Sequence, residues 1–481
     1  MEIISLPKNI GYSSLARFRM ELYQKYKSKL HINLDLNRKL VSFQENKKIP
    51  IYSWFKYKEG FTARLVNYIF DKLKIENGTL LDPFAGAGAA LFAARLRGIN
   101  SVGIEVLPVG VFSIEAKNRI LNNKSTTFIK EIRKILNNDF LKFYTPQLKF
   151  KNIPITNGAF PIENERKLLG YLNYCKKIKD NDLKMALLFL GFCVLENISY
   201  TRKDGQYLRW DFRSDRKRSE NLFNKGTIYS FDDAIKEKLN QIIFDLTSDE
   251  EQFDFLKMDK NVQKVKMNII AGSCLEILPT LKANSVDIVV TSPPYCNRYD
   301  YTRTYALELM YLGFTDEQIK KFRQTMLSCT VENKDKVNFL KDLYFKNKNN
   351  AGFEKVNSVF DHQKALHEVL NILDKLAFNG KLNNSNISRM VRNYFYEMCF
   401  VVFEISRLIR KNGYFVMIND NVQYSGHEVP VDLILSDFAS AFDFDVEKIW
   451  VLPVGKGNSS QQMGIHGRNE LRKCIYIWRK K

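Results

Sequence analysis

Val286-Asp287-Ile288-Val289-Val290-Thr291-Ser292-Pro293-Pro294-Tyr295 is the stretch on which the reading of this chain turns. Its first six residues are rich in β-branched side chains and fit a buried strand. The two prolines end that strand, because they cannot donate ladder hydrogen bonds, and they hold the following backbone extended. The Ser292 hydroxyl and the Ser292 and Pro293 carbonyls then become fixed acceptors beside the Tyr295 ring, an arrangement suited to a flat base with an exocyclic amine. Open α/β sheets place their chemistry at the carboxyl ends of strands. The stretch therefore predicts both a sheet class and the edge at which the site lies.

Upstream, Thr79-Leu80-Leu81-Asp82-Pro83-Phe84-Ala85-Gly86-Ala87-Gly88 and the small-residue run Ala89 to Ala94 read as strand, glycine turn and helix. That arrangement brings a nucleotide-like ligand close to backbone amides at a helix start. Ser101-Val102-Gly103-Ile104-Glu105 follows as a second strand ending in an acid. Asp82 and Glu105 are one strand, helix and strand apart, so Glu105 is placed to reach ribose hydroxyls of a ligand lying over the first turn.

Together these residues closely resemble the amino-methyltransferases of DNA, whose hallmarks are a D-P-F-x-G-x-G cofactor loop and a D/N/S-P-P-Y catalytic loop. The resemblance implies an α/β fold: a Rossmann-like, mostly parallel sheet with a terminal antiparallel hairpin and helical or mixed insertions for DNA recognition. It implies S-adenosylmethionine as methyl donor, no metal, and methyl transfer to cytosine N4 or adenine N6. Carried onto this sequence, Asp82, Pro83, Phe84, Ala85, Gly86, Gly88 and Glu105 bind the cofactor. Ser292, Pro293, Pro294 and Tyr295 are catalytic. Gly272 to Pro279 and Asn284 to Asp287 look like the lead into the catalytic strand, with Ser273 and Cys274 near the adenine. Trp54 to Thr62 resembles the segment that closes over the methionine end, through Trp54, Phe61 and Thr62.

The whole-chain numbers are compatible with that likeness. The 481 residues allow two or three domains, and 45% hydrophobic with 13% aromatic residues can fill ordinary cores. A soluble, cytoplasmic, nucleoid-associated prokaryotic protein is expected, with no membrane partner, since no apolar run is long enough to span a bilayer. Seven scattered cysteines and five histidines form neither a disulfide framework nor a zinc pattern. A formal net charge of +21 suits a phosphate-rich partner, here double-stranded DNA.

Within that basic background, Tyr200 to Arg218 interleaves arginines with aromatics, which suits phosphate contact and base stacking together. Arg202, Lys203, Arg209, Arg213 and Arg216 are the expected DNA contacts there; a salt-bridged hairpin using Asp204, Asp211 and Asp215 is the other reading. In the tail, the glycine-rich loop 455–468 offers Asn458, Ser459, Gln461 and Arg468 to DNA, between strands expected at Val446–Leu452 and Lys473–Trp478.

The order along the chain divides it into 1–110 (leading segment and cofactor half), 111–265 (inserted recognition region), 266–300 (catalytic half), 301–393 (second insertion) and 394–481 (rest of the sheet). A helix is expected over Asp182–Asn197, a mobile loop over Lys334–Asn350, and a helix, glycine turn and strand from Phe403 to Ile418. With little chain after Leu452, recognition is assigned to the insertions. Serine as first residue of the catalytic loop leans toward cytosine N4, adenine N6 being the alternative. More distant readings are an RNA methyltransferase and a catalytically silent specificity component. Cys296 is not assigned as a nucleophile, and a separate cognate restriction endonuclease is compatible with the whole.

Overall fold

The computed structural model describes residues 16–123, 125–151, 153–204, 207–214, 216, 223–247, 265–297, 299–453, 456–457 and 470–481. In chain order the strands are β1 (Leu30–Ile32), β2 (Thr79–Asp82), β3 (Asn100–Glu105), β4 (Thr201–Asp204), β5 (Tyr207–Trp210), β6 (Met267–Ala271), β7 (Val286–Thr291), β8 (Ile409–Asp420), β9 (Val422–Tyr424), β10 (His427–Val429), β11 (Phe444–Val451), β12 (Lys456–Gly457), β13 (Glu470–Leu471) and β14 (Lys473–Lys480).

Eight of them form one sheet in the order β1-β11-β14-β8-β7-β2-β3-β6. The run from β6 to β8 is parallel throughout, while β14 lies antiparallel to both β8 and β11. From β2 the chain moves outward to β3 and β6, then returns to the other side of β2 as β7. The order thus reverses between β2 and β7, and ligands of open α/β sheets bind at such a reversal, beyond the carboxyl ends of the strands.

Both faces of the sheet are covered, which is why its strands read as continuous apolar runs rather than alternating ones. Successive side chains still point to opposite faces. Leu80, Ile288, Val290, Val416 and Ile475 belong to one buried cluster with Leu168, Phe189, Leu195 and Leu239 of the first insertion. Leu81, Val289, Phe415, Met417 and Trp478 belong to the other, with Leu340, Tyr344, Val356 and Leu366 of the second insertion. The helices Ile162–Lys177, Asn181–Ile198 and Phe231–Thr247 therefore cover one face of the sheet, and Val337–Lys346, Asn350–Asp361 and Lys364–Phe378 the other. Each such side chain, fully buried, contributes about 1.5–3 kcal/mol.

The expected helix over Asp182–Asn197 is present as Asn181–Ile198. Two expectations are corrected. Lys334–Asn350 is no loop: it contains the helix Val337–Lys346, which buries Leu340 and Tyr344 one turn apart, and Tyr344 donates to Glu404 at 2.6 Å. Nor does a separate turn follow the helix Ile387–Leu408, because β8 starts at Ile409. Asn412 (φ 67°) and Gly413 lie inside β8, where its register against β7 shifts. A Cβ on Gly413 would stand 2.6 Å from the Asp287 carbonyl oxygen, so only glycine allows that approach.

Candidate active site

Asp82, Glu105 and Thr291 end three neighbouring strands at the reversal point, and the chain folds its polar groups inward there. The Thr291 hydroxyl donates to Asp82 Oδ1 at 2.6 Å, and the same oxygen accepts from the Phe84 amide at 3.1 Å. Glu105 accepts from the Gly86 amide through Oε2 and from the Leu107 amide through Oε1, each at 2.7 Å. The acid at the end of β3 thus holds the glycine turn from below. Burial pushes both carboxyls up to about 7, against their hydrogen bonds, which act in the opposite sense.

Gly86 is left-handed at φ 54°, and a Cβ there would stand 2.9 Å from the Tyr57 ring. Two cavities meet over this turn. The larger, of about 370 Å³, is lined by Trp54, Phe61, Asp82, Ala85, Gly86 and Ser292 among others. The smaller, of about 50 Å³, is lined by Pro83, Glu105, Ser273, Cys274, Pro294 and Met326 among others. Tyr57, Glu59, Phe84, Gly86 and Ser292 line both. The glycine turn, the strand-end acid, the Ser273 segment and Ser292 are therefore brought together around one joined space.

Some expected residues stand elsewhere. Thr62 is fully buried and caps the helix Ala63–Leu73, accepting from the Leu65 amide at 3.1 Å and donating to the Leu40 carbonyl at 2.6 Å, so it is corrected from a cofactor contact to a helix cap. Gly88 is the left-handed N-cap of the helix Ala89–Leu96, and its missing Cβ faces Phe92 and Ile114. It serves the turn rather than lining a cavity.

The Ser292–Tyr295 loop is braced from β14. Ser292 Oγ donates to the Tyr295 hydroxyl at 3.2 Å. Lys473, at the start of β14, sits 5.1 Å from the Tyr295 ring centroid and pairs with Asp420 at 2.7 Å. Pro293 is buried. Cys296 is fully buried, and its carbonyl accepts from Tyr424 at 2.6 Å.

The sequence reading missed several lining or bracing residues. Tyr57 and Glu59 lie within the quoted Trp54–Thr62 segment: Tyr57 stacks on Tyr305 at 4.8 Å and 10°, and Glu59 accepts from both Tyr299 and Tyr305. An acid flanked by aromatics was the available signal. Met326 and Leu327 come from the second insertion, and Lys473 from a strand far away in sequence, so nothing local announced either.

The basic segment is a hairpin, β4 paired with β5, in which Arg202 stands opposite Arg209 and Lys203 opposite Leu208. Strand alternation puts Arg202 and Arg209 outward and Lys203 inward. Lys203 is 2% exposed, pairs with the equally buried Glu308 and lies over the rings of Phe55 and Tyr305. It is corrected from a DNA contact to a buried tie between the hairpin and the helix Ala306–Tyr311. Arg209 pairs with Asp204 at 3.1 Å and Arg213 with Asp211 at 2.6 Å. Arg216 packs on Trp210 at 4.2 Å and donates to the Pro154 and Ile155 carbonyls. Asp215, Asn458, Ser459, Gln461 and Arg468 lie outside the described residues. The strands flanking that loop pair antiparallel, β11 with β14. Among the described residues no helix is long and apolar enough to cross a membrane.

No family model matches the chain. It is 45% identical over 476 residues to the Type II methyltransferase M.AvaI of Nostoc sp., covering 97% of this chain and 94% of that protein, and equally so to M.AvaI of Anabaena variabilis. It is 38% identical over 482 residues to the Type II methyltransferase M.BsoBI of Geobacillus stearothermophilus, covering 96% and 92%. At that identity and coverage, on a sheet whose reversal point carries the glycine turn and the T-S-P-P-Y loop, the chain belongs to the Type II methyltransferases, the DNA methyltransferases of restriction-modification systems.

Proposed function

We propose that this chain uses S-adenosylmethionine to methylate the exocyclic N4 of cytosine within a specific sequence of double-stranded DNA. The observation that carries the reading is the position of Ser292, on the wall shared by both cavities beside Gly86 and Asp82. The residues present fit the cofactor: Gly86 leaves room where a Cβ would strike Tyr57, and two strand-end acids and two cavities surround that turn. Asp82, Phe84, Ala85, Gly86, Glu105, Ser273 and Cys274 would hold it, with Trp54 and Phe61 on the far wall of the larger cavity. Bound there, S-adenosylmethionine supplies an electrophilic sulfonium methyl.

The remaining roles belong to the chain. An aromatic amine is a poor nucleophile because its lone pair is delocalised into the ring. The Ser292 hydroxyl and the Pro293 carbonyl accept from its two protons and favour a pyramidal nitrogen. The base must leave the duplex first, since its amine is otherwise paired, and Tyr295 stacks on it, recovering about 1–3 kcal/mol. Lys473 holds the Tyr295 ring from behind.

Serine at the head of the loop, as T-S-P-P-Y, supports cytosine over adenine, because that form is commoner among the enzymes it resembles that act on cytosine N4. We assign DNA recognition chiefly to 111–265, with Arg202 and Arg209 on the exposed hairpin face, and a supporting role to the loop holding Asn458, Ser459, Gln461 and Arg468. A separate cognate endonuclease would act on the same sequence. Nucleoside analysis of DNA methylated by the purified protein, with long-read sequencing of the same DNA, tests the proposal. N4-methylcytosine at one recurring sequence is expected, and N6-methyladenine would overturn the base assignment.

A further inference from the structure

Lys117 stands out among the buried charges around the larger cavity. It projects from the helix Pro108–Asn122, is 1% exposed, and lines that cavity. Its Nζ donates to the Ala87 carbonyl at 3.3 Å and lies 5.7 Å from the Phe92 ring centroid. Among the described residues no carboxylate pairs with it. Burial pulls its pKa down to about 8, so it remains mostly charged at neutral pH. A buried ammonium without a counter-ion is costly to fold unless something else supplies the charge.

The same wall holds a second source of positive potential. The helix Ala89–Leu96 opens at Gly88, which offers no side-chain cap to its first amides, and Ala87 and Ala89 line the cavity. Unsatisfied amides and the helix dipole attract an anion at that end. Toward the Ser292 loop the buried charges of the lining are acidic: Asp82 is bonded to Thr291 next to Ser292, and Glu59 lines both cavities, while the other lining lysines, Lys47, Lys56 and Lys238, are exposed or half-buried. A ligand matching this polarity has a cationic centre near Ser292 and a carboxylate a few bonds away.

We infer that Lys117, with the first turn of the helix Ala89–Leu96, seats the α-carboxylate at the amino-acid end of the cofactor. The inference rests on the proposed use of S-adenosylmethionine and extends it to a residue and a charge. It separates the two ends of the cavity: acids for the sulfonium, a lysine for the carboxylate.

Calorimetry on the full chain tests it with two thioethers, S-adenosylhomocysteine and its decarboxylated analogue, which keeps the amine. Wild type is expected to prefer the carboxylate-bearing ligand by about thirty-fold or more, the scale of a buried charge pair losing one partner. Lys117→Met is expected to lose most of that preference while binding the decarboxylated ligand as wild type does. Lys117→Gln, which keeps a donor, is read in the same way should the Met variant fail to fold. A preference retained in a folded Lys117 variant overturns this inference alone. Wild type binding neither thioether overturns the cofactor reading and this inference with it.

Discussion

Replacing Gly86 with alanine is the smallest change that probes the cofactor turn, and the structure sets its size. At φ 54° an L-residue is left-handed, which costs about 1–2 kcal/mol. The new Cβ would also stand 2.9 Å from Tyr57 Cε1. Tyr57 cannot swing freely, because its ring is stacked at 4.8 Å on the fully buried Tyr305. The turn or the ring must therefore move into the joined cavity. Strain of that size, relieved by losing the ligand-ready shape, corresponds to about five- to thirty-fold weaker cofactor binding. Gly98→Ala is the control: its φ of 75° carries similar strain, but a Cβ there meets nothing within 4 Å and Gly98 lines neither cavity. Calorimetry with S-adenosylhomocysteine should show lost affinity for Gly86→Ala and near-normal affinity for Gly98→Ala, while thermal melts show both destabilised. Equal affinity losses in the two, or none in either, would refute the placement of the cofactor over Gly86.

Ser292→Ala and Tyr295→Ala should each reduce methyl transfer severely with cofactor affinity largely intact, whereas Cys296→Ala should keep activity at some loss of stability; tritiated-methyl transfer to DNA distinguishes these outcomes. Asp82 and Glu105 have folded pKa values of about 7, above their ordinary 3.8 and 4.5. Their contribution to stability is therefore complete at low pH and is lost as pH rises through 7, so the ligand-free protein should melt lower at about pH 8 than at about pH 6, and Glu105→Gln should flatten that trend. The ionised acids that appear over the same range favour a sulfonium, so the affinity ratio of S-adenosylmethionine to its neutral thioether should rise with pH. Lys203→Met should cost about 3–5 kcal/mol in denaturant unfolding, because it strands buried Glu308. Arg202→Ala and Arg209→Ala should instead weaken DNA binding and flatten its salt dependence by about one unit each.

The local signals in the chain sufficed to place the core of the candidate site. A β-branched run stopped by two prolines, a glycine turn before a small-residue helix and an acid ending the next strand are each dictated by backbone chemistry within a few residues. Together they placed Asp82, Gly86, Glu105 and Ser292 at one sheet edge, where the structure has them. The terminal antiparallel pair was legible for the same reason, as two apolar runs around a long glycine-rich loop. What sequence alone left undecided is which side of an element faces what. Lys203 looks like its neighbours Arg202 and Arg209, yet hairpin pairing turns it inward to Glu308. Thr62 looks like part of a ligand segment, yet the helix after it claims its hydroxyl. Lys473 reaches Tyr295 only because β14 is laid antiparallel beside β8, and Lys117 reaches the glycine turn only because the helix Pro108–Asn122 carries it to the Ala87 carbonyl. A one-residue alternation or a helix-to-helix contact decides such matters, and these are set by burial summed over the whole core, which no short stretch of sequence contains.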